Sequence, residues 1–377
     1  MRHHLPLSPI RHVEVFAVEV DAAQVSWRNL APGPVRVSCA DTELTVEYHG
    51  DSAVVALDNL PPNSHLTVEV RAADDSLFRL PIVTLAPPPG ELLARFASLS
   101  DLHLGSTKFG LIFKRSENPE PDVPHPMRCA IAARTEALAW GAEQLVLKGD
   151  LTHHTGAEEW PQLAEFLHGL TVPHLLTLGN HDRQPKKKGI DTDKGLANSG
   201  IGFRPVDSVD LPGIRLVVAD TSVQDRGYGR VHAIRDEVVD LLAQTNGPTF
   251  LGLHHHLEGL PFPWFWPPGI PFAQGRHFLE TVKAANPRLL ISSGHTHRNR
   301  AYHRRGVLIT EVGSPKDYPG VWAGYSVYEG GITQTIRRVC EPSALAWTDP
   351  TRKAVGGIWG MWAPGHIDQR CISHTWT

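Results

Sequence analysis

Seven side chains that could bind metal ions stand in five short motifs of this 377-residue chain. The motifs are Asp101-Leu102-His103, Gly149-Asp150, Gly179-Asn180-His181-Asp182, the histidine run His254–His256, and Gly294-His295-Thr296-His297. Counting one histidine of the run, they offer two carboxylates, one amide oxygen and four imidazoles. This donor set is too large for one tetrahedral zinc ion and suits two divalent ions that share a bridging carboxylate. The motifs therefore predict a dinuclear metal centre.

Each motif directly follows a short apolar run, such as "EQLVLK", "HLLTL" and "TFLGL". Helical patterns lie between several of these runs, for example "PMRCAIAARTEALAWGAE". Strands that alternate with helices indicate an α/β fold, in which sites collect at the carboxyl ends of strands. The i, i+2 pairs Asp101/His103 and His295/His297 would each point to one side of an extended segment. We therefore expect the motifs to converge at one edge of a sheet.

The first part of the chain has a different pattern. Residues 12 to 85 contain short runs such as "VRVSC", "LTVEY" and "HLTVEV", separated by turn clusters, as in a β-sandwich. "VSW" at Val25–Trp27 and "LPPNSHLTVEV" resemble a fibronectin type III or immunoglobulin-like domain, with His65 where that family has a corner tyrosine. "APPPG" at 86–90 is typical of a stiff linker. We predict a small all-β domain at 1–88, the α/β domain at 92–340 and a Trp-rich tail at 341–377.

The net charge of −4 gives no electrostatic reason for broad binding to nucleic acids or membrane surfaces. The four cysteines show no C-x-x-C spacing, which argues against a thiolate zinc site or a disulfide framework. Neither a signal-peptide core nor an apolar run long enough to span a bilayer is present in the sequence. We expect a cytoplasmic protein, and the sequence leaves homo-oligomer formation open.

The motif series resembles the calcineurin-like metallophosphoesterase superfamily over roughly residues 95 to 330. The resemblance implies an α/β fold in which two sheets form a sandwich flanked by helices, with the metals at one edge. It implies one ion held by Asp101, His103, Asp150 and His297, and a second held by Asp150, Asn180, His254 and His295. Asp150 would bridge the two ions.

Details of the motifs separate the branches of this superfamily. Purple acid phosphatases have an iron-ligating tyrosine and a glycine where this chain has His153 and His103. The D-x-H form is more similar to bacterial cyclic-nucleotide phosphodiesterases. The family ligand is the first histidine after its strand, which favours His254, with His255 as the alternative.

The resemblance implies a metal-dependent phosphoesterase acting on a small phosphoester. A hydroxide that bridges two Mn, Fe or Zn ions would attack a phosphodiester, cyclic nucleotides included, or a phosphomonoester. His181 would contact the phosphate or protonate the leaving oxygen, and Asp182 would orient His181 and keep it cationic. Two alternatives stay open: a nuclease of the same superfamily, and a non-catalytic metal-binding scaffold.

Three further segments could shape the surroundings of the centre. Lys186–Lys188 could hold an anionic substrate or form a solvated loop, and Trp264–Trp266 could stack on a base, cover the site or pack on a neighbour. The tail carries Trp359, Trp362 and Trp376, and so aromatic a segment is expected to pack on the body or a partner.

Overall fold

The computed structural model describes residues 12–110, 114–117, 121–184, 189–261 and 266–376. The chain separates into two compact units, Met1–Pro87 and Pro88–Thr377. No helix in the described ranges is long and apolar enough to cross a membrane.

The described part of the first unit, from residue 12 onward, contains seven antiparallel strands in two sheets. Its strands are β1 (His12–Val18), β2 (Ala23–Arg28), β3 (Gly33–Cys39), β4 (Thr42–Tyr48), β5 (Ser52–Leu57), β6 (His65–Arg71) and β7 (Leu77–Val83). One sheet has the order β1-β2-β5 and the other β4-β3-β6-β7. Alternate residues of strands such as β3 and β6 are buried, as expected when one face of a sheet packs on a core.

The core of the first unit joins both sheets. Trp27 of β2 packs in one apolar cluster with Val37 of β3 and Val68 of β6. This agrees with the predicted small all-β domain. The tyrosine that contacts Trp27 is Tyr48, at a ring-centroid distance of 6.2 Å, whereas His65 is exposed.

The second unit contains two six-stranded sheets. The first has the order β12-β11-β8-β19-β20-β21 and consists of β8 (Leu92–Leu99), β11 (Gln144–Lys148), β12 (His174–Thr177), β19 (Val321–Tyr328), β20 (Gly331–Arg338) and β21 (Cys371–Thr375). The second has the order β13-β14-β15-β16-β18-β17 and consists of β13 (Val206–Leu211), β14 (Ile214–Ala219), β15 (Thr249–Leu253), β16 (Leu289–Ser293), β17 (Arg300–Arg304) and β18 (Val307–Glu311). A short antiparallel pair, β9 (Lys108–Phe109) and β10 (Arg115–Ser116), lies outside them.

The two six-stranded sheets pack face to face. The ring of Phe250 on β15 lies 5.0 Å from Phe96 on β8 and 5.2 Å from Tyr325 on β19. Nζ of Lys148, at the end of β11, donates to Oγ of Ser292 on β16 at 2.8 Å. Burial lowers the pKa of Lys148 to about 7. These contacts form a sandwich, as predicted.

Helices cover the outer faces of the sandwich, which confirms the predicted α/β class. They are α1 (His125–Ala139), α2 (Glu159–His168), α3 (Thr192–Asn198), α4 (Arg235–Ala243), α5 (Phe272–Ala285), α6 (Pro342–Thr351), α7 (Ile358–Trp362) and α8 (Ile367–Arg370). Trp160 of α2 and Trp347 of α6 are buried in the cluster that includes the first sheet. Val238 of α4 and Phe278 of α5 are buried in the cluster of the second sheet. Apolar stripes on these helices therefore close both sides of the core.

The segment after residue 340 is part of the second unit. The Glu341 side chain accepts a hydrogen bond from the amide of Ala344, and Pro342 occupies the first turn of α6. At the end of the chain β21 pairs with β20 in antiparallel register, with Ile372 opposite Gln334. The tail thus contributes the last strand of the first sheet.

Candidate metal centre

The five motifs follow the carboxyl ends of five parallel strands drawn from both sheets. Asp101 and His103 follow β8, Asp150 follows β11, Asn180 follows β12, His254 follows β15, and His295 and His297 follow β16. Strands β8, β11 and β12 pair in parallel, and so do β15 and β16. Because parallel strands end at the same edge, the sandwich brings the seven predicted ligands together.

The backbone at these residues is not extended, in contrast to the expectation for the two i, i+2 pairs. Five of the seven have positive φ angles: Asp101 (59°), His103 (47°), Asp150 (50°), His295 (68°) and His297 (51°). A left-handed residue costs about 1–3 kcal/mol and persists only where its surroundings enforce it. Here the chain turns sharply directly after each of these strands. For example, the amides of Asp101 and His103 donate to carbonyls of the Gly149-Asp150 turn.

We define group one as Asp101 Oδ1, His103 Nε2, His297 Nε2 and Asp150 Oδ2. The two imidazole nitrogens lie 3.2 Å apart. Asp101 Oδ1 lies 3.3 Å from His297 Nε2 and 4.0 Å from His103 Nε2, and Asp150 Oδ2 lies 3.6 Å from His103 Nε2. Two ligands about 2.1 Å from one ion lie about 3–3.4 Å apart at ordinary coordination angles, so this spacing suits a shared cation.

We define group two as Asn180 Oδ1, His254 Nε2, His295 Nδ1 and Asp150 Oδ1. His254 Nε2 lies 3.1 Å from His295 Nδ1, 3.2 Å from Asn180 Oδ1 and 3.3 Å from Asp150 Oδ1. The two oxygens of Asp150 thus face different groups. The carboxylate stands between them, as a bridging ligand would.

Hydrogen bonds at the far side of three imidazoles fix which nitrogen carries the proton. His297 Nδ1 donates to Asp317 Oδ2 at 2.6 Å, His254 Nδ1 to the carbonyl of Lys148 at 2.8 Å, and His295 Nε2 to the carbonyl of Pro268 at 2.9 Å. The nitrogens that face the groups are therefore the ones that would bind a metal ion after losing any proton they carry. Acceptor atoms that converge at these distances require a cation between them, so the residues fit divalent metal ions.

The pKa values of two ligand histidines also indicate that the centre favours positive charge. Burial lowers the pKa of His254, but the charges of Asp150 and Asp101 raise it to about 9. Burial also lowers the pKa of His297, but Asp317 and Asp101 raise it to about 10. Carboxylates this deeply buried stabilise any cation at the centre, whether a proton or a metal ion.

The histidine run divides into distinct positions. His254 faces Asn180 and Asp150, as described, whereas Nδ1 of His255 lies 2.8 Å from the hydroxyl of Thr221. The His255 ring remains 4.6 Å from that of His295, and a potential metal-binding set of His254, His255 and His295 lies within 4.8 Å. His256 is buried as well.

His181 lies beside group one. Its ring centroid is 4.6 Å from that of His103, and its amide donates to Asp150 Oδ1 at 2.8 Å. Nδ1 of His181 donates to the carbonyl of His153 at 2.6 Å, which leaves Nε2 to exchange a proton. The rings of His103, His153 and His181 form a further cluster of potential ligands.

The Asp182 carboxylate contacts backbone amides, where the sequence led us to expect a contact with His181. Its carboxylate accepts hydrogen bonds from the amides of Leu151, Thr152 and Gly179 and from the Thr152 hydroxyl. Burial and the charge of Asp150 raise the pKa of Asp182 to about 6. The carboxylate therefore braces the loops after β11 and β12, and the backbone of His153 orients His181 instead.

Sequence reasoning missed the groups that orient the ligands. Asp317 is fully buried and stands in "SPKDYPG", which matches no motif; its only sequence signal is its place after the last strand of the second sheet. The Pro268 carbonyl could not be found from residue types at all. Lys186–Lys188, Trp264 and Phe265 lie outside the described residues.

The chain is similar to several known proteins. The chain is 27% identical over 214 residues to a probable cyclic nucleotide phosphodiesterase of Synechococcus sp., covering 53% of this chain and 79% of that protein. It is 24% identical to another so named from Psychrobacter sp. PRwf-1, covering 47% and 54%. The solved structure of PhoD gives a TM-score of 0.44 at 11% identity, covering 88% of this chain and 87% of that one.

The family model of calcineurin-like phosphoesterases matches residues 94–299, which is more than half of the chain. This match confirms the resemblance seen in the motif series, and the chain belongs to the calcineurin-like phosphoesterase family of phosphoric ester hydrolases.

Proposed function

We propose that this protein is a dinuclear phosphodiesterase, with cyclic nucleotides among its candidate substrates. The observation that carries the proposal is the position of Asp150, whose two oxygens face group one and group two separately. The names of the relatives support a diester in preference to a monoester.

The donor atoms limit the metals. Imidazole, carboxylate and amide ligands without thiolate suit Mn, Fe or Zn. Group one would hold one ion and group two the other, with His254 in preference to His255. Bound there, such ions would lower the pKa of a water molecule and neutralise charge on phosphate oxygens.

The protein's own groups do the remaining work. His181 is the candidate proton donor to the oxygen that leaves phosphorus: its Nδ1 is bonded to the His153 carbonyl, so Nε2 is the nitrogen that would take up and give away the proton. Asp317 and the carbonyls of Lys148 and Pro268 fix the orientation of three ligand rings. Asp182 secures the two loops that carry Asp150 and Asn180.

The test compares bis(p-nitrophenyl) phosphate with p-nitrophenyl phosphate after loading with manganese, and measures bound metal alongside turnover. Asn180→Ala removes a ligand of group two and is expected to abolish diester cleavage and to lower metal content. Asn198→Ala changes an exposed asparagine at the end of α3 and serves as the matched control. Equal diester cleavage in both variants would refute the ligand assignment.

The same manganese-loaded protein, tested on long polynucleotides as well, separates the two alternatives. Cleavage of long polynucleotides without cleavage of small diesters would favour the nuclease. A purified protein that neither binds metal nor cleaves any ester would favour the scaffold.

A further inference from the structure

The C-terminal tail is attached to the loop that carries two of the candidate ligands. Asn299 follows His297 by two residues; its amide donates to the carbonyl of Ala363 at 2.9 Å and its Nδ2 donates to that of Pro364 at 3.2 Å. Its Oδ1 accepts from the amide of Gly313 at 2.8 Å. This side chain fixes the tail beside group one.

Trp359 of α7 is the tail residue next to the centre. Its ring centroid lies 6.4 Å from that of His297 and 5.8 Å from that of Phe109. Its indole N–H donates to the carbonyl of Tyr318 at 3.1 Å, which fixes the ring although it is only half-buried. Phe109 and Trp359 therefore form an aromatic wall at one side of group one.

The outer surface of α7 continues this wall with exposed apolar groups. Ile358 is 44% exposed, Met361 77% and Trp362 60%. The guanidinium of Arg298 lies 5.2 Å from the ring centroid of Trp362. Single exposed apolar residues are ordinary, but three on one five-residue helix beside a phosphoester site indicate a binding surface.

We infer that Trp359 and α7 bind a planar, apolar group that is esterified to the substrate phosphate. The inference rests on the proposed function, which places the phosphate at groups one and two. A substituent on that phosphate is within reach of the ring beside His297, and an aromatic ring is the natural surface for a planar group. Arg298 next to Trp362 adds a positive charge that suits an anionic ester. Trp359 is thus a specificity residue for substrates such as aryl phosphodiesters.

The experiment uses two diesters with the same leaving group, p-nitrophenyl phenyl phosphate and p-nitrophenyl methyl phosphate. The manganese-loaded wild type is expected to prefer the phenyl ester by about tenfold in kcat/KM, mostly through KM, the size of one stacking contact. Trp359→Ala is expected to bring the ratio close to one, and Trp359→Phe to retain part of it. Trp376→Ala removes a tail tryptophan that contacts His374 and is expected to keep the full preference.

A second readout does not need turnover. Calorimetry of phenylphosphonate and methylphosphonate with the metal-loaded protein should show the same preference and its loss in Trp359→Ala. A wild type without a preference, or a Trp359→Ala variant that keeps it, would overturn the inference while diester cleavage persists. If Trp359→Ala lost the cleavage of both esters equally and also lost bound metal, the inference would be overturned as well, because Trp359 would then only support His297. Failure of the proposed function looks different, since neither ester would be cleaved and no metal bound.

Discussion

Asp317 offers the sharpest test of how the chain supports its metal ligands. The carboxylate is fully buried and accepts from Nδ1 of His297 at 2.6 Å. Asp317→Asn keeps the size and one acceptor oxygen of the side chain but removes its charge. Loss of such a partner lowers metal affinity about 10- to 100-fold, which corresponds to about 1.4–2.7 kcal/mol. We expect this deficit at group one, with group two unaffected.

The pH dependence of the deficit follows from the pKa of His297. Although burial lowers this pKa, Asp317 and Asp101 raise it to about 10, so a metal ion must displace a proton from the ring at neutral pH. Removing the Asp317 charge lowers that pKa and makes the displacement easier. At pH 7 this easier proton displacement partly offsets the metal affinity that the variant loses. The offset shrinks as the pH approaches 10, where the wild-type ring also loses its proton readily. The affinity deficit is therefore expected to widen with rising pH.

The assay is zinc competition against a chromogenic chelator at about pH 7 and pH 8.5. Asp349→Asn is the matched control, because Asp349 is also buried but its carboxylate pairs with Arg338 at 2.8 Å instead of a candidate ligand. The control should unfold at a lower temperature and bind zinc normally. Unchanged zinc affinity in Asp317→Asn at both pH values would refute the reasoning, as would an equal deficit in the control.

Three further predictions concern the histidines. His254→Ala is expected to lose about half of the bound metal and His255→Ala to retain it, as measured by elemental analysis; the reverse would assign His255 as the ligand. His181→Ala should lower kcat about 10²- to 10⁴-fold with metal retained, whereas His153→Phe should have a smaller effect because the carbonyl that holds His181 remains. Metal binding at pH 7 should release protons, since carboxylates raise the pKa of His254 to about 9 and that of His297 to about 10 despite the burial of both rings. Calorimetry in buffers of different ionisation enthalpy measures this proton release, and a binding heat that does not depend on the buffer would contradict the prediction.

The sequence predicted the parts of the molecule that depend on local pattern. Apolar runs ending in Asp, Asn or His marked strands, and the edge where parallel strands end explains why Asp101 and His295, far apart in sequence, share one site. The two-sheet sandwich with outer helices followed from the family resemblance and is confirmed by the structure.

The features that the sequence did not predict depend on tertiary contacts. Asp182 is adjacent to His181, yet its carboxylate points to the amides of Leu151 and Gly179, because neighbouring residues in a tight turn face different directions. Trp359 is held beside the centre by tertiary contacts without a sequence pattern: Asn299 binds the carbonyl of Ala363, and the Trp359 indole binds that of Tyr318. Residue types thus identified the donors, while their supports required the folded chain.

The strained backbone and the converging acceptors have a common consequence for the centre. Five ligands in left-handed conformations cost about 1–3 kcal/mol each, and the buried carboxylates of Asp101 and Asp150 concentrate negative charge at the centre. Both features are unfavourable by themselves, so the sandwich core must hold the ligands in place. Divalent ions bound there would neutralise the carboxylates and form coordination bonds with the ligands. Metal binding is therefore expected to stabilise the second unit specifically, and a proteolysis time course should show protection of the loops after β8, β11 and β16.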